Sequence, residues 1–187
     1  MSILKEARII KACKKEEPKG QKALYELYLP YVLSICRRFG IPEHGLKDAI
    51  QEIFIEIFLN IKKYQAAKGD FKSWLKTITI RKLIKIQQKN THQKTVELNE
   101  ALLEEAFHWQ IDWEQIDGEL LQRLVAELPR GYRTVFNLYV IDGYSHLEIA
   151  QLLNISEGAS RSQFSRARKI LRSQLKAWNK KYRYGVI

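Results

Sequence analysis

Arg161, Ser162, Ser165, Arg166 and Arg168 are crowded into one short segment, and their side chains are of the types that bind nucleic acid. A guanidinium group donates in a fork to guanine O6 and N7 or to phosphate, and a serine hydroxyl serves base edges or backbone. Ser160, Phe164, Ala167 and Leu171 recur around them at i, i+4, i+7 and i+11. That period is one inward stripe of a helix, and the five polar residues lie off it, together with Lys169.

A helix can read a duplex only if something holds it. The segment before it, from Ser145 to Ile155, reads as a shorter helix and a tight turn. Ser145 and Glu148 form a capping box. Leu147, Ile149, Ala150, Leu152 and Leu153 supply apolar positions, with Ala150 small enough for a close crossing. Asn154 tolerates the left-handed backbone that stops a helix, and Ser156 caps the helix that follows. This is the pattern of a helix-turn-helix whose second helix enters a major groove. A helical hairpin with a solvated basic face is the competing reading of this segment alone.

The rest of the chain shifts that balance. The 187 residues carry a formal net charge of +11, which points to a polyanionic partner. The charge is uneven. Residues 90–119 hold eight acids against the single cation Lys94, and the flanking blocks are basic. Two nucleic-acid-facing domains joined by an acidic linker is the economical reading. Residues 1–92 form the first domain, 93–118 the linker and 119–187 the second.

No run approaches the roughly 20 apolar residues of a membrane span. The first twenty residues lack the apolar core of a signal peptide, so the protein is expected to be cytoplasmic. Cys13 and Cys36 fit no metal or redox spacing and are expected to be reduced thiols. The four histidines are scattered, and no metalloprotease, phosphate-loop or nucleophile-elbow motif occurs. The expectation is no enzyme, no metal and no cofactor.

Helical periodicity predicts elements over Gln21–Phe39, Lys47–Lys62, Phe71–Lys89, Glu119–Leu128 and Tyr132–Ile141, with Pro30 bending or interrupting the first of them locally. In Lys47–Lys62 the buried stripe is Ile50, Ile53, Phe54, Ile57, Phe58 and Ile61. Tyr64–Asp70 is a loop. No strand pattern of period two is present. The class is all-α, with two small helical domains.

Two separated segments resemble one family, the sigma-70-family RNA polymerase sigma factors of the extracytoplasmic-function (ECF) type. LPRGYRTVFNLYVIDGYSHLEIAQLLNISEGASRSQFSRARKILRSQL resembles the family's domain 4. ALYELYLPYVLSI, DAIQEIFIEIF and GDFKSWLKTI resemble its domain 2. The matches come in the right order, and no domain 3 pattern intervenes. Within them, Arg81 stands where the family often has asparagine, and Gln163 where arginine is common.

The resemblance implies a protein that binds core RNA polymerase and directs it to promoters. It implies a −35 reader at Arg161, Ser162, Ser165 and Arg166, with Arg168 on phosphate or solvent. It implies a polymerase contact at Asp48, Gln51 and Glu52, which share one helix side at i, i+3 and i+4. The melted −10 strand would meet Tyr64, Phe71, Lys72, Trp74, Lys76, Arg81, Lys82 and Lys85, by aromatic stacking and backbone tracking. Phe71 and Trp74 have core packing as an equal alternative, so the loop backbone and the cations rank above them. An anti-sigma factor is an implied partner, and the free protein is expected to be a monomer. A stand-alone helix-turn-helix regulator is the alternative function; it leaves the 47–89 block without a purpose.

Overall fold

The computed structural model describes residues 3–89 and 118–183. They form eight α-helices and no strand. The chain divides into two compact units, one within residues 1–95 and one within 96–187. The expected acidic linker, 93–118, lies almost wholly outside the described residues.

The first unit holds α1 (Ile3–Lys14), α2 (Pro18–Arg38), α3 (Glu43–Asn60) and α4 (Phe71–Lys89). The stretch expected to begin at Gln21 begins at Pro18, whose missing N–H costs nothing in a first turn. Pro30 does not interrupt α2. Its side chain is exposed, as is Glu26, whose carbonyl loses the helical bond. α3 starts four residues earlier than expected, because Pro42 holds an extended backbone (φ −66°, ψ 152°) and hands over to Glu43. It ends at Asn60, where a 3-10 turn (Ile61–Lys63) takes over.

The core lies where α2, α3 and α4 meet, at Leu24, Val32, Ile35, Ile53, Ile57, Leu75, Ile80 and Leu83. Two polar side chains buried there have partners. Thr79 donates to Leu75 O at 2.9 Å and Gln87 to Phe39 O at 2.7 Å, so neither leaves an orphaned group. Periodicity predicts no helix before Gln21, yet α1 buries Ile10 and Cys13 against this core. Gly20 allows the approach: a Cβ there would sit 2.6 Å from that of Ala12.

The second unit holds α5 (Gly118–Ala126), α6 (Arg130–Phe136), a wide π-turn (Asn137–Ile141), α7 (His146–Leu153) and α8 (Glu157–Arg183). The helix expected over Tyr132–Ile141 therefore starts at Arg130 and widens after Phe136. Leu120, Leu124, Val125, Leu128, Phe136, Ala167 and Leu171 form the core.

The helix-turn-helix is built as its residues dictate. Ser145 Oγ accepts from Glu148 N at 3.2 Å, and Glu148 accepts from Ser145 N at 2.8 Å, completing the capping box. Asn154 takes the left-handed conformation (φ 56°, ψ 51°). Ser156 Oγ accepts from Ala159 N at 3.0 Å. Leu147 differs from expectation. α7 buries His146, Ile149 and Ala150, and Leu147 projects outward. The inward position beside it is filled by an imidazole.

Candidate functional site

On α8, Ser160, Ala167 and Leu171 are fully buried, and Phe164 packs against them. At 100° per residue the direction opposite this stripe runs between Ser165 and Ser162, with Lys169 also there. Arg161 and Arg166 flank it on either side. Arg161, Ser165 and Lys169 are exposed, and Ser162 and Arg166 are half-buried. Arg168 sits nearer the core edge, its guanidinium 5.7 Å from the centroid of Phe164. Arg161 forms an ion pair with Glu157 one turn before it, both side chains in contact with water. Such an exposed pair contributes under about 1 kcal/mol, so Arg161 can exchange Glu157 for another acceptor cheaply.

Behind this face lies His146. Its Nδ1 is 2.9 Å from Ser160 Oγ, and its ring stacks on Tyr139 at 4.4 Å between centroids. Burial, reinforced by the charge of Arg161, pushes its pKa below the ordinary 6.5, against the opposing pull of Glu157. The folded state thus resists a proton that the unfolded chain accepts. The stability this contributes is complete above about pH 6.5 and is lost as pH falls from there towards the folded value. Thermal unfolding of the second unit should show a steeper loss between pH 7.5 and 5.5 in the wild type than in His146→Phe. Equal losses would assign the slope to other groups.

The loop between α3 and α4 is pinned from beneath. Tyr64 and Phe71, expected on a nucleic-acid surface, are only 8% and 3% exposed. They pack edge to face at 5.0 Å, with Tyr28 5.3 Å from Phe71 and Trp74 5.2 Å from it. No base can stack on rings so enclosed, so that assignment is corrected: Tyr64 and Phe71 support the loop. Tyr64 Oη donates to Gly69 O at 3.1 Å. Lys14 of α1 donates to Tyr64 O at 2.6 Å, and Glu16 pairs with Lys62. Asp70 Oδ1 accepts from Ser73 N at 2.9 Å, capping α4, and these bonds hold its carboxyl below the usual carboxylate range.

Above this support, residues 65–70 are all exposed, as are Lys72, Arg81 and Lys85, with Lys76 and Trp74 half-buried. The Lys72 ammonium lies 4.6 Å from the ring centroid of Tyr31. Lys82 does not join them. It is 20% exposed and pairs with Glu52 of α3 at 3.0 Å. Two residues assigned to different surfaces are therefore one ion pair between α3 and α4.

On α3, Asp48 and Gln51 are exposed with Glu52 on the side opposite the core. Ile55 and Leu59 continue that line at i+7 and i+11, 50% and 73% exposed. Neither was among the residues expected at this surface. A signal was available: the stripe of Ile50, Ile53, Ile57 and Ile61 already fills the inward side, leaving Ile55 and Leu59 as apolar residues with no core to join.

Among the described residues, no cluster of three or more His, Cys, Asp or Glu side chains could hold a metal ion. No described helix is long and apolar enough to cross a membrane. Cys13 and Cys36 are buried free thiols, and burial pushes their pKa values up to about 11 and about 12.

Residues 24–92 match the family model described as Sigma-70 region 2, and residues 118–171 the one described as Sigma-70, region 4. The chain is 28% identical over 153 residues to the ECF RNA polymerase sigma factor SigM of Bacillus subtilis, covering 80% of this chain and 91% of that protein. It is 28% identical over 181 residues to SigW of the same organism, covering 89% and 95%. Among solved structures, the sigma factor RpoE in complex with the anti-sigma factor NepR from Bartonella quintana aligns at 19% identity and TM-score 0.49, covering 83% of this chain and 96% of that one.

Proposed function

Since the chain belongs to the sigma-70 family of RNA polymerase sigma factors, within the ECF group, and directs promoter-specific initiation, we propose how its surfaces divide that work. Sigma factors are not enzymes; the bond-forming chemistry belongs to the polymerase. The first unit, within residues 1–92, binds core polymerase through the outer face of α3, at Asp48, Gln51 and Glu52 joined by Ile55 and Leu59. Its 65–70 loop, with Lys72, Trp74, Lys76, Arg81 and Lys85, takes the displaced −10 strand. Capture of a flipped base costs a few kcal/mol of unstacking, which a preformed pocket recovers better than a floppy one. The bracing of the loop by α1, Tyr64 and Phe71 supports that role. The second unit, within 119–187, reads the duplex −35 element with Arg161, Ser162, Ser165 and Arg166. Residues 93–118 serve as the tether. An anti-sigma factor that holds the protein inactive, a monomeric free state and a cytoplasmic site of action complete the proposal.

The observation that carries this reading is the exposed apolar and acidic face of α3 on the same chain as the capped, basic α8. A DNA-binding regulator working alone needs only the second. Run-off transcription from a promoter library, with bacterial core polymerase and with or without the protein, tests it. Protein-dependent, promoter-specific transcripts are expected. No transcripts with a matched core enzyme, while duplex binding persists, would favour the stand-alone regulator.

A further inference from the structure

The helix-turn-helix carries a polar contact in its interior that the DNA-reading role does not itself explain. His146 opens α7 and Ser160 lies in the first turn of α8, and they are 9% and 0% exposed. Their hydrogen bond joins the two helices directly at 2.9 Å. The other buried positions of these two helices are apolar: Ile149 and Ala150 on α7, Ala167 and Leu171 on α8. Apolar contact is non-directional, so it resists separation of two helices far better than rotation of one against the other. A buried hydrogen bond is directional, and leaving its atoms unpaired away from water is unfavourable. The imidazole is itself held, stacked on Tyr139 with 13° between planes and 5.7 Å from Phe164.

Ser160 immediately precedes Arg161, so rotation that displaces its hydroxyl swings the whole reading face. Turning α8 by about 20° moves an atom ~6 Å from the helix axis by about 2 Å. That exceeds what a bidentate contact to a base edge tolerates. We propose that His146 is a positioning residue for −35 recognition: its hydrogen bond to Ser160 sets the rotation of α8 and thereby the sequence selectivity of Arg161, Ser162, Ser165 and Arg166, without touching DNA. This rests on α8 being the duplex-reading helix.

The test uses the full chain, alone and assembled with core polymerase. The best-bound duplex is selected from a random library, and its affinity is compared with those of single-mismatch duplexes. His146→Phe keeps a ring and loses the bond. Ser160→Ala loses the bond with little change in volume. His146→Asn keeps a polar nitrogen near the Nδ1 position. Each single loss should cut the matched-to-mismatched ratio about tenfold. The dependence of affinity on salt, which reports phosphate contacts, should not change. The double variant should be no worse than either single one, and His146→Asn should recover most of the ratio. A wild-type ratio in folded Ser160→Ala would overturn the proposal, as would additive losses or failure of His146→Asn to recover what His146→Phe loses. Wild-type protein that selects no duplex sequence would overturn the reading of α8 itself, and this inference with it.

Discussion

Ile55→Asp combined with Leu59→Asp should remove binding to core polymerase and leave the protein folded. Both side chains already stand in water, so neither substitution opens a cavity nor buries a charge in the free protein. Surface changes of this kind usually stay within about 0.5 kcal/mol, and the melting temperature of the variant should match the wild type. In the complex the balance is different. Burying an aliphatic side chain fully is worth about 1.5–3 kcal/mol, and a carboxylate placed there must also be desolvated. The pair should weaken assembly by at least 100-fold, read by titrating labelled protein with core enzyme. Selection of duplex by α8 should persist. Retained assembly would show that the apolar line on α3 is not part of the contact. Asp48→Ala with Gln51→Ala is the companion variant. Glu52 is left in place because its partner is Lys82, and removing it would disturb α4 as well as the surface.

Arg161→Ala and Arg166→Ala together should nearly abolish −35 recognition. One good bidentate contact to a base discriminates by about 1–3 kcal/mol. Two such losses amount to roughly 30-fold to 10⁴-fold in affinity if both arginines read bases. The cost of freeing Arg161 from Glu157 is small, because that pair is solvated. The distinguishing readout is specificity. If the arginines read bases, affinity for the selected duplex collapses towards that for random duplex. If they meet only phosphate, both affinities fall in parallel and the salt dependence becomes shallower. Lys169→Ala, central on the same face, should do only the latter.

How the residues of unit 1 divide between core and surface shows where sequence reasoning stops. Tyr64, Phe71 and Trp74 have aromatic rings at a spacing that serves either base stacking or core packing. Period alone cannot choose, since both roles want the same side chains. The choice comes from Tyr28 on α2 and Lys14 on α1, which close over Tyr64 and Phe71 from beneath. Lys82 looks like a backbone-tracking cation until α3 brings Glu52 to it. The bounds of α4, Phe71 to Lys89, did follow from the sequence, where the Ala-Ala-Lys-Gly-Asp loop ends at Asp70.

The class, the main helices, the capping box at Ser145, the stop at Asn154 and the buried stripe of α8 can all be read from the chain. All of these depend on neighbours three or four residues apart, whose geometry a helix dictates. Tertiary packing fixed that Tyr64 and Phe71 are supports, that Lys82 answers Glu52 and that α1 braces the loop. It also decided that His146 meets Ser160. Those outcomes depend on which helix faces cover each other, and that is a balance of burial summed over residues far apart in the chain. No local pattern carries it.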